Sequence, residues 1–104
     1  MEQITLGELI QALYLIDENA EIDLASPHSY RGYYNELALE PRWSKAWILR
    51  EELETIIDTE LTGWKGGEFL MESSTPVWVA YEGSTGQQLI DIGIRGNIIT
   101  KEEH

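Results

Sequence analysis

Thr5-Leu6-Gly7-Glu8, with the apolar positions that follow, constrains this chain more than any other stretch. Thr5 and Glu8 stand at the spacing of a capping box, in which each side chain serves the other's backbone amide. Leu6, Leu9, Ile10, Leu13 and Ile16 fall at three- and four-residue intervals, so the segment predicts a helix with one apolar stripe. A helix this short is marginal alone in water and has to bury that stripe against other elements. Asp17-Glu18-Asn19 ends it, and Asn19 is an acceptable left-handed cap.

The downstream segments supply partners for that burial. Ile22 and Leu24 alternate with Glu21 and Asp23 as a short strand, and Leu37 and Leu39 alternate with Ala38 and Glu40 in another, which Pro41 terminates. Ser44 is a candidate cap for a second helix over residues 45–61. Trp47, Ile48, Leu49, Leu53, Ile56, Ile57 and Leu61 form its apolar side; Glu51, Glu52, Glu54, Asp58 and Glu60 crowd the other. Like charges at such spacings cost a few tenths of a kcal/mol each. Burying each large apolar side chain returns about 1.5–3 kcal/mol, which decides in favour of the helix. Gly63 closes it. Val77, Val79 and Tyr81 alternate with Trp78 and Ala80 as a strand, Glu82-Gly83-Ser84-Thr85-Gly86 makes a turn, and residues 89–94 make a last strand before a frayed tail at 101–104. Trp47 and Trp78 occupy core-like positions. The expected fold is α+β: one domain over 1–104, with a small, mainly antiparallel sheet of four or five strands and two helices packed against it.

Composition removes several function classes. Of 104 residues, 42% are hydrophobic and 25% charged, which is globular and not disordered. The absence of cysteine excludes disulfides and thiolate sites. No apolar run approaches the roughly 18 residues of a membrane span. The first residues lack the basic region and apolar core of a signal peptide, so a cytoplasmic protein is expected. Nineteen acidic against seven basic residues give −12, a field that repels phosphate backbones and disfavours direct nucleic-acid binding. The acidity then serves solubility, or mimics nucleic acid towards a basic protein through Glu51, Glu52, Glu54, Asp58 and Glu60.

Ser26-Pro27-His28-Ser29-Tyr30-Arg31-Gly32-Tyr33-Tyr34 is the stretch most suited to recognition. Proline and glycine favour a loop over a buried strand or helix. Tyr30, Tyr33 and Tyr34 can stack on a base, Arg31 can hold a phosphate bidentately, and His28 and Ser29 can orient a ligand. Trp64-Lys65-Gly66-Gly67 offers a second anion contact through Lys65 and open amides. The plainer alternative packs two tyrosines in the core and pairs Arg31 with a carboxylate. Catalytic patterns are missing: His28 is the one internal histidine, no nucleophile elbow or phosphate-binding loop occurs, and His28 with Glu36 is a generic acid–base pair. No catalytic residue, cofactor or metal is therefore expected.

The helix from Thr5, the Pro27-His28-Ser29-Tyr30-Arg31-Gly32-Tyr33-Tyr34 string, Leu37-Ala38-Leu39-Glu40-Pro41, Gly63-Trp64-Lys65-Gly66-Gly67-Glu68-Phe69 and Val77-Trp78-Val79-Ala80 together resemble a family of small bacteriophage proteins, from Thr5 to about Gln88. The resemblance implies phage origin and action in the host cytoplasm. Phage proteins of this size often disarm bacterial immunity. One expected function is therefore capture, without catalysis, of a nucleotide-derived signal of that immunity by a homo-oligomer. The other is an acidic protein–protein inhibitor of a host defence protein.

Overall fold

The computed structural model describes residues 3–29, 36–62, 68–80, 86–93 and 95–102. The capping box forms as expected. Thr5 Oγ1 accepts from the Glu8 amide at 3.3 Å and Glu8 Oε1 accepts from the Thr5 amide at 3.1 Å, opening α1 (Leu6–Leu15). The helix leaves through Ile16 in extended conformation, not through a left-handed Asn19. Asp17 makes the turn instead: its side chain accepts from the Asn19 amide and its carbonyl from the Ala20 amide, both at 2.9 Å.

Short β1 (Glu21–Ile22) follows, then β2 (Ala25–Ser29), β3 (Leu37–Glu40) and β4 (Ser44–Lys45). The expected loop at 27–34 is thus corrected at its start, because Pro27, His28 and Ser29 belong to a strand. Proline is tolerated there because β2 is an edge strand and its register shifts between Ala25 and His28.

The second helix, α2 (Ala46–Ile56), departs from expectation at both ends. Ser44 is not its cap; its buried hydroxyl donates to the Leu24 carbonyl at 2.8 Å. The first helical amides bond to carbonyls of the preceding turn, Ala46 to Ala20 at 2.9 Å and Trp47 to Glu18 at 3.0 Å, so a side-chain cap is unnecessary. At the far end Asp58 adopts a left-handed φ of 64° and its amide donates to the Met71 carbonyl at 2.6 Å. That bend sends the chain into β5 (Glu60–Thr62), paired with β6 (Glu68–Leu70), where continued helix was expected. Asp58 and Glu60 consequently leave the acidic helix face.

β7 (Val77–Val79), β8 (Gln87–Ile92) and β9 (Ile98–Glu102) complete a five-stranded sheet in the order β2-β3-β7-β8-β9, parallel only between β3 and β7. Lys101 and Glu102, expected in a frayed tail, are part of β9. The β8–β9 connection turns at Gly96, with φ 88°, and a Cβ there would collide with the Glu21 carbonyl. Residues 3–5 attach between β7 and β8, through Ile4 to Leu89 at 2.8 Å and Val77 to Ile4 at 3.1 Å. One face of the sheet (Leu37, Leu39, Val77, Val79, Leu89) packs on Leu6, Leu9 and Leu13 of α1 and Ala46, Leu49 and Leu53 of α2. Ala38 and Trp78, paired on the opposite face, are buried as well. The fold is α+β, with two helices on a mainly antiparallel sheet.

Candidate functional site

β2 and β3 pair up to Ser29↔Leu37, so His28 and Ser29 enter the recognition stretch as strand residues. The side chains of His28 and Ser29, and all of Tyr30, Arg31, Tyr33, Tyr34, Trp64, Lys65, Gly66 and Gly67, lie outside the described residues. The same holds for a His28–Glu36 pairing; Glu36 itself is half-buried. In sequence, residues 30–35 fall between the paired strands β2 and β3, and residues 63–67 between β5 and β6.

Among the described residues, recognition chemistry gathers where α1 and α2 meet. Tyr14 is 56% exposed, yet its position is fixed. Its hydroxyl donates to Glu54 Oε2 at 2.7 Å, and the Arg50 guanidinium lies 4.5 Å from its ring centroid. Arg50 Nε closes the triangle, 3.7 Å from Glu54 Oε1. The hydrogen bond to Glu54, then slight desolvation of the phenol, then the Glu54 charge raise the Tyr14 phenol above its ordinary pKa; the Arg50 charge opposes this.

Trp47 stands one turn before Arg50 on the same helix face and is 37% exposed, which corrects its core-like assignment. The buried stripe of α2 runs Ala46, Leu49, Leu53, and small Ala46 takes the inward place the tryptophan was expected to hold. Glu51 flanks this face and is exposed, whereas Glu52 is half-buried. Sequence reasoning also missed Tyr14. The available signal was that Tyr14 and Leu15 are apolar yet off the α1 stripe, and Leu15 is the more exposed of the two.

On the other side of α1 a cleft of about 360 Å³ lies against β8, lined by Ile4, Ala12, Leu15 and Ile90 with Glu8 and Asp91 among its polar groups. A register irregularity at Ile90, between Leu89↔Thr100 and Asp91↔Ile99, lets consecutive residues 90 and 91 line one cavity, where a regular strand would alternate them. Among the described residues no group of three or more histidine, cysteine or acidic side chains could hold a metal, and no helix is long and apolar enough to cross a membrane. No protein-family model, curated protein or solved structure matches this chain.

Proposed function

We propose that this chain is a non-catalytic binding protein that docks a basic protein through the face shared by α1 and α2. One observation carries the reading: Tyr14 and Trp47 are exposed while Arg50 and Glu54 hold Tyr14 in place. Tryptophan, tyrosine and arginine dominate binding energy at protein interfaces, and an anchor already fixed in the free protein loses little entropy on docking. The net charge of −12 and the exposed Glu51 select a cationic partner and speed its encounter. In the phage setting implied by the resemblance, that partner is a host defence protein.

The test is capture of a basic partner from bacterial lysate, then titration with the purified partner. Binding should weaken about tenfold or more in Trp47→Ala, corresponding to at least about 1.4 kcal/mol. It should also fall between about 0.05 M and 0.5 M salt. Failure to recover a basic partner, or equal affinity of the wild type and Trp47→Ala, eliminates this function.

A second reading, capture of a nucleotide-type ligand by residues 28–34 and 64–67, rests on their tyrosine, arginine and lysine side chains and on their place in sequence next to the paired strands β2–β3 and β5–β6. Calorimetry against nucleotide second messengers tests it. Heat of binding that Arg31→Ala abolishes is expected; silence from every messenger, or undiminished binding by the variant, removes it.

A further inference from the structure

The two edges of the five-stranded sheet are built differently. β2 carries Pro27, which has no amide hydrogen to donate, together with the register shift between Ala25 and His28. Both features discourage outward pairing. β9 has neither. Ile98–Glu102 contains no proline or glycine, and the extra residue in its pairing with β8 is Ile90 on β8, which leaves the β9 backbone regular. Among the described residues β9 pairs only with β8. Its Ile99 is 42% exposed.

We propose that this edge pairs antiparallel with β9 of a second copy, joining two sheets across a two-fold axis. Charge decides the occupant. Two chains of −12 repel over most approaches, but β9 holds one lysine and one glutamate and is formally neutral. Pairing centred on Thr100 sets Ile99 of each copy opposite Lys101 of the other. The lysine methylenes then cover the isoleucine, and no like charges stand opposite each other. Five-residue strands bury little area, so the dimer is weak and in exchange with monomer. Salt screens the repulsion between the two acidic bodies, so it tightens the dimer.

The β9 edge and the α1–α2 docking face share no residue. Sedimentation velocity over a concentration series, at about 0.05 M and about 0.5 M salt, tests the dimer. Reversible association should appear at high micromolar protein and tighten several-fold at the higher salt. Ile99→Lys and Lys101→Glu should each abolish it; Lys101 is exposed, so Lys101→Glu keeps the test open if Ile99→Lys fails to fold. A chain that stays monomeric throughout, a dimer that loosens with salt, or one indifferent to both substitutions overturns the proposal.

Discussion

At the scale of single residues, Tyr14 shows how an exposed aromatic becomes a defined feature. The helix places it on the solvent side, and two α2 side chains fix it there by a hydrogen bond and a stacked guanidinium. Because the Glu54 bond raises the folded phenol's pKa above its ordinary value of 10.0, the folded chain holds that proton more tightly than the unfolded one. The associated stabilisation is complete below the ordinary value and vanishes as pH climbs through the raised one. Ultraviolet titration of tyrosinate, differenced against Tyr14→Phe, should show one tyrosine ionising late. Glu54→Gln should return it towards the ordinary value. An unchanged titration in Glu54→Gln would break the link between bond and shift.

At the scale of elements, the instructive case is where α2 stops. Leu53, Ile56, Ile57 and Leu61 continue a helical spacing, so periodicity alone extends the helix too far. The competing structure is the β5–β6 pair, joined to the helix end by the Asp58–Met71 and Met71–Thr59 backbone bonds. Asp58 makes the switch possible, since aspartate is among the few side chains that tolerate a left-handed backbone. Asp58→Ala should therefore destabilise the fold by about 1 kcal/mol, while Asp58→Gly should be neutral or slightly stabilising. Denaturant midpoints measure both. Equal midpoints would mean that the turn carries no strain.

At the scale of the whole molecule, one net charge has two opposite consequences. Under the two proposals above, it draws a cationic partner to the helical face and repels second copies of the chain over most approaches, the formally neutral β9 edge excepted. Raising salt should loosen the first complex and tighten the second, a divergence readable in a single titration series on the same sample. Both moving in the same direction would show that one of the surfaces has been misassigned.

The sequence by itself determined the first helix, its reciprocal cap and the α+β class, because capping and periodicity act over a few residues and survive any tertiary arrangement. It also singled out the tyrosine- and arginine-bearing stretch by composition. Tertiary structure decided the rest: that carbonyls of Glu18 and Ala20 cap α2 in place of Ser44, that Ala46 displaces Trp47 from the core, and that Pro27 and Lys101 lie in opposite edge strands. Each of those outcomes depends on which distant segment supplies a hydrogen-bond partner or fills a volume. Local spacing does not encode that choice.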